Sequence, residues 1–159
     1  MIKFLIKVII IIVLLAIVSF FIFDKKAPQI PASEISYSGE NAVQMIRIDA
    51  PKPGEIINSP LMITGQARGG WYFEASFPIF LTNWDGLIIA QGHAEARGEW
   101  MTEGFVPFVA TLEFIKPPFV RNGSNMHRGS LILKNDNPSG EPLRDKAAEM
   151  PVLFYPISK

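Results

Sequence analysis

Glu95, Glu99 and Glu103 recur at four-residue spacing, and His93 lies two residues before the first of them. Carboxylates and a histidine are the groups from which acid–base or metal chemistry is built. Their spacing argues against both here. In an extended chain successive side chains point to opposite faces, so Gln91, His93 and Glu95 share one outward face, as on a solvated strand. The glutamates form no convergent pair of the kind needed across a cleft. Ser59, Ser76 and Thr102 sit in no nucleophile-elbow context. His127 lies in the polar loop RNGSNMHRG, with no partner identifiable from the sequence. The sequence therefore predicts a protein that is not an enzyme, with no catalytic residue, no metal ligand set and no cofactor.

The densest collection of recognition-type side chains is ARGGWYFEASFPIFLTNWDG, residues 67 to 86. Arg68, Trp71, Glu74 and Trp84 come from it and, with Trp100, make up the candidate binding surface. Arg68 and Glu74 bracket Trp71 and could pair across a turn, either as an anion site with an aromatic floor or as a structural clasp. Arg68 stacked on a ring would serve the second purpose. No nucleophile or metal ligand stands nearby, which favours the clasp. Trp71, Tyr72, Trp84 and Trp100 could also form a platform for the sugar rings of peptidoglycan, although tryptophans of a small sandwich commonly pack in its core or rim. Trp84, in the tight turn NWDG, is expected to be exposed.

These residues are held by a β pattern that begins at Met45. MIRID alternates, PLMITGQA reads as a strand, and EASFPIFLT places Ala75, Phe77, Ile79 and Leu81 on one face. After the Asp-Gly turn, LIIAQGHAEA puts Ile88, Ala90, Gly92, Ala94 and Ala96 inward. PFVATLEF does the same with Phe108, Ala110, Leu112 and Phe114, and SLILK and PVLFYP follow. Seven short strands separated by turns predict an all-β fold, a β-sandwich. The small residues of the strand after Ile88 leave volume for large rings such as Phe77 or Trp71 from the facing sheet. Pro78, on the outward parity of its strand, predicts an edge strand or a bulge there.

Ahead of this domain, Phe4 to Phe23 is apolar apart from Lys7 and Ser19. About 20 residues at 1.5 Å per residue match the roughly 30 Å hydrocarbon core of a bilayer. The bulky exit SFFIFDKK offers no small-residue cleavage pattern. Residues 1–26 are thus expected to be one N-terminal transmembrane helix, a permanent anchor rather than a cleaved signal. Residues 27–44, with Pro28, Pro31 and Gly39, are expected to be a tether, and residues 45–159 the domain. Lys3 and Lys7 nearly balance Lys25 and Lys26. The short N-terminal tail and the β-rich remainder favour export of the C-terminal part, so the expected location is the cell membrane, crossed once, with the domain extracytoplasmic. The chain carries 15 basic and 15 acidic residues, with no basic stripe, which argues against a nucleic-acid partner.

Residues 67–78 (ARGGWYFEASFP), 100–108 (WMTEGFVPF) and 136–140 (DNPSG) are the most specific part of the chain. Taken in order, they resemble the immunoglobulin-like domain of bacterial spore germination, associated with GerM-type proteins, over residues 46–155. The resemblance implies an extracytoplasmic, all-β module, an immunoglobulin-like β-sandwich of about seven strands, and no reaction. The expected function is non-catalytic binding of a protein or an envelope component. The alternative is a peptidoglycan- or glycan-binding module, and an envelope hydrolase is less favoured.

Overall fold

A computed structural model describes residues 34–119 and 126–156. Among the described residues eight strands form: β1 (Ser36–Ser38), β2 (Ile46–Ala50), β3 (Leu61–Arg68), β4 (Ser76–Asn83), β5 (Ile88–Ala96), β6 (Phe105–Leu112), β7 (Arg128–Lys134) and β8 (Ala147–Leu153). One helical turn, α1 (Ala42–Met45), and two 3-10 turns, Gly69–Trp71 and Pro142–Arg144, complete the regular structure. The strands pair antiparallel in the order β1-β8-β7-β4-β5-β6-β3-β2.

β5 and β6 share only two register pairs, Glu95↔Val109 and Ala96↔Phe108. The sheet folds over at this short seam. Phe77 of β4 meets Phe108 of β6 with ring centroids 5.0 Å apart. Strands two places apart in a flat sheet lie roughly 10 Å from each other, so this contact requires β8-β7-β4-β5 and β6-β3-β2 to face one another as two layers. The opposite edge is sewn by the chain between β2 and β3. Having paired with β3, it crosses to β8, where the Ile57 amide donates to the Leu153 carbonyl at 2.8 Å and the Leu153 amide to the Glu55 carbonyl at 2.9 Å. The result is an all-β, immunoglobulin-like sandwich.

Period-2 alternation sets the two faces. Phe77, Ile79 and Leu81 of β4, Ile63 and Ala67 of β3, and Val106, Phe108, Ala110 and Leu112 of β6 are buried between the layers. Gln91, His93 and Glu95 are exposed on β5, as their parity predicts. Gly65 stands opposite Phe108 in the β3–β6 register. A Cβ at Gly65 would lie 2.6 Å from Phe108 Cζ and would also run into the Arg47 carbonyl. The missing side chain is the space in which the Phe108 ring sits.

Four details differ from expectation. The strands number eight because Ser36–Ser38, inside the segment expected as a tether, pairs with β8 through Ser36↔Glu149 to Ser38↔Ala147. Ala42 of the same segment is buried. Second, β4 lies between β5 and β7 rather than at an edge. Pro78 is tolerated one residue beyond Ile79↔Leu133, the terminal register pair with β7. Third, Ile88 is exposed, because a register shift lets Leu81↔Ala90 be followed by Thr82↔Ile88. The extra residue, Ile89, packs against the core instead. Fourth, the space at Gly92 is taken by Leu112, whose Cδ2 would lie 2.8 Å from an added Cβ, and not by an aromatic ring.

Among the described residues no helix is long and apolar enough to cross a membrane. The apolar run from Phe4 to Phe23, on which the anchor expectation rests, lies outside the described residues.

Core and surface substitutions should separate cleanly in denaturant unfolding. Phe77→Ala is expected to cost about 3 to 5 kcal/mol, Gly65→Ala about 1 to 3 kcal/mol through overpacking, and Gln91→Ala no more than about 0.5 kcal/mol. A Gly65→Ala variant as stable as the parent would show that Phe108 does not occupy that space.

Candidate binding surface

Arg68 ends β3 on its outer face, directly opposite Phe105 of β6. Its Nε donates to the Gln44 carbonyl at 3.1 Å and its Nη1 to the Glu103 carbonyl at 2.6 Å. The guanidinium carbon lies 4.6 Å from the centroid of the Phe105 ring. Arg47, one strand further on β2, brings its own guanidinium carbon to 4.1 Å from the same ring. Two cations thus share one aromatic ring, an arrangement favoured by the ring quadrupole. Among the described residues the ion pairs are Lys134–Asp145 at 3.1 Å and Arg144–Glu141 at 2.9 Å. Neither involves Arg47 or Arg68.

The expected Arg68–Glu74 pair does not form. Glu74 is exposed in the tight turn Phe73–Ser76, at φ 49°, in the left-handed region together with Ala75 at 62°. That turn is closed by reciprocal Phe73 and Ser76 backbone hydrogen bonds of 3.0 and 3.1 Å. It turns the glutamate away from the ladder on which Arg68 lies. Arg68 clasps backbone carbonyls and a ring instead.

Trp71 is fully buried and packs edge-on against Phe77, with centroids 6.4 Å apart. It belongs to the core and not to a surface. Tyr72 is buried as well, its hydroxyl donating to the Val106 carbonyl at 2.8 Å. Burial pushes its phenol up to about 12 from the ordinary 10.0. Trp100 is half-buried against the core. Trp84 is 48% exposed, in the turn joining β4 to β5. That turn and the β5–β6 connection carrying Trp100 lie at opposite ends of β5, so the aromatics expected to share a sugar platform do not converge.

The three stretches that carry the resemblance do meet, at the end of the sandwich away from Trp84. Arg68 reaches Glu103, Tyr72 reaches Val106, and the Asp136 amide donates to the Trp71 carbonyl at 3.1 Å. The DNPSG loop is bonded internally. Asn137 Nδ2 donates to Asp145 at 2.9 Å, and Ser139 Oγ donates to Asn137 Oδ1 at 2.6 Å. These contacts hold the Asp145 carboxyl below its usual range, the Asn137 hydrogen bond first and Lys134 next. The interlocking is that of a scaffold.

A scan against family models matches residues 45–124 to the immunoglobulin-like domain of bacterial spore germination. The chain belongs to this family. Searches of curated proteins and of solved structures found no match. The family segment covers β2 to β6 and therefore includes Arg47, Arg68 and Phe105. Arg47 and Phe105 were absent from the sequence-derived candidates. Their signal was parity: both stand on the outer face of strands whose alternate residues, Ile46 and Val106, point into the core. Among the described residues, no group of three or more His, Cys, Asp or Glu could hold a metal ion.

Tyr72 supplies a pH test. A phenol whose neutral form is favoured in the fold contributes fully below the unfolded value near 10.0 and loses that contribution as pH rises towards about 12. Unfolding free energy should therefore fall through that window, and Tyr72→Phe should flatten the fall. Tyr37, raised by the same cause, is expected to leave a residual slope. At neutral pH the lost hydrogen bond should cost about 1 kcal/mol. An unchanged alkaline slope in Tyr72→Phe would contradict the buried assignment.

Proposed function

We propose that this protein is a membrane-anchored, extracytoplasmic immunoglobulin-like module that acts by non-catalytic binding of a protein or another envelope component. The observation that carries the binding reading is the outer face of β2-β3-β6. There Arg47 and Arg68 flank Phe105, and Arg47 is exposed. An exposed guanidinium over a ring offers charge-assisted hydrogen bonds and an apolar contact at one place. Such a face suits a carboxylate or another anionic group on the partner. A peptidoglycan-binding role is less well supported, since Trp71 is buried and Trp84 stands apart from Trp100.

Membrane anchoring rests on the sequence, through the 20-residue apolar run from Phe4 to Phe23. Its helix would keep the domain at the bacterial cell membrane, with the C terminus outside the cytoplasm.

Two measurements test the proposal. A C-terminal reporter active only after export should be active and should sediment with membranes. An inactive reporter would reverse the orientation, and an active but soluble product would mean that the run is a cleaved signal. A photo-crosslinking residue placed at Gln66, the cross-strand partner of Arg47 on the same face, should give in intact cells a discrete adduct that the same residue at Gln91 does not. Equal labelling from both positions would remove the β2-β3-β6 face as the binding surface, and co-sedimentation with purified peptidoglycan would favour the glycan alternative.

A further inference from the structure

Exposed apolar side chains occur at both ends of the sandwich, with Val43, Phe73, Met101 and Leu143 at the end where β8 begins, but the exposed tryptophan is at the other. At the end where β8 finishes, Trp84, Leu87 and Ile88 are exposed at 48, 64 and 51% on the β4–β5 turn. The segment after β6 adds Ile115 at 90% and Phe119 at 55%. This segment is held in place. Lys116 Nζ donates to the Phe154 carbonyl at 2.9 Å, the Tyr155 hydroxyl donates to the Pro117 carbonyl at 3.0 Å, and Phe119 packs edge-on against Tyr155 at 5.2 Å. The apolar side chains are thus presented on fixed backbone. The carboxylates Glu74, Glu99, Glu103, Asp136, Glu141 and Asp145 outnumber the basic Arg97, Arg144 and Lys146 in the connections at the opposite end. Asp85, Glu55, Glu113 and Glu34 are acidic groups near the apolar end, with Lys52, Lys116 and Arg128 as basic neighbours.

The path of the chain indicates what covers this end. β1 is antiparallel to β8, so followed backwards towards Glu34 it heads for the end where Leu153 closes β8. Only residues 24–33 separate Glu34 from the apolar run ending at Phe23. Ten residues span at most about 35 Å even when fully extended. If the run crosses a bilayer, the end of the domain rich in Trp, Leu, Ile and Phe is the one its root directs towards that bilayer. Tryptophan and tyrosine favour the headgroup level of a membrane, and a lysine stem can lie along apolar surface while its ammonium stays in water.

We infer that the β4–β5 turn and the segment 115–119 seat this end of the domain on the bilayer surface, leaving the acidic end and the Arg47–Phe105–Arg68 face directed away from it. The inference rests on the anchor proposed above. It does not depend on which partner that face binds.

The chain has no cysteine, so a single introduced thiol carries a unique spin label. Full-length Leu87→Cys, Ile115→Cys and Met101→Cys variants would be labelled and reconstituted into phosphatidylcholine–phosphatidylglycerol vesicles. Met101, 73% exposed in the β5–β6 connection, reports on the far end. Labels at 87 and 115 should show a raised ratio of oxygen to water-soluble nickel-chelate collisions, with the ratio reversed at 101. Chelate access at 87 and 115 equal to that at 101, with the protein still floating with the vesicles, would overturn the seating while leaving the anchor intact. Protection of 87 and 115 from both reagents would mean that another protein copy covers the end, which also overturns it. Protein that fails to float with the vesicles would sink the anchor and this inference together.

Discussion

Phe77 of β4 and Phe108 of β6 sit edge to face at 5.0 Å and 81°, and the rest of the domain is arranged around that meeting of two layers. The Phe108 ring needs a facing position without a side chain, which Gly65 supplies. Phe77 in turn carries Trp71 at 6.4 Å and Tyr72 at 5.3 Å. Aromatic pairs of this geometry contribute beyond the area they bury. A cluster of four rings at one end of a small sandwich, with no disulfide in the chain, is a concentrated source of interlayer cohesion.

Committing Trp71, Tyr72, Phe77 and Phe108 to this cluster removes them from the surface. Trp71 and Tyr72 are unavailable to a ligand. Arg68 spends hydrogen bonds on the Gln44 and Glu103 carbonyls that hold the neighbouring loops. Of the three stretches that carry the resemblance, the first two lie within the matched segment and the third, 136–140, beyond it; together they lock one end of the sandwich, through Arg68 to Glu103, Tyr72 to Val106 and Asp136 to Trp71. Arg47, on the β2 face, is among the side chains that the lock leaves outside. An arginine poised on a ring loses little conformational freedom on engaging an anion, since its guanidinium is already oriented.

Much of the fold was legible in the sequence because strand parity is a strong signal wherever one face is buried. The inward residues of β4 and β6 follow alternation without exception from Phe77 to Leu81 and from Val106 to Leu112. Parity failed at Ile88, where a one-residue register shift moves Ile89 inward, and a bulge leaves no mark in composition. β1 was missed because three residues, SYS, are too short to show a period. The candidate surface was less legible. Side-chain type alone grouped Arg68 with Glu74 and Trp71, whereas pairing across strands put Arg68 with Phe105 and Arg47. Those partners are 37 and 21 positions away in sequence, beyond the reach of local spacing.

That the signature residues build the interlayer core, and not a ligand site, is tested most directly by a double-mutant cycle between Phe77 and Phe108 in denaturant unfolding. Rings that meet edge to face should give a coupling of about 0.5 to 1.5 kcal/mol, the double variant losing less than the sum of the single losses. Single losses that simply add, to within about 0.3 kcal/mol, would mean that the two layers do not meet through these rings and would contradict the packing on which the fold depends.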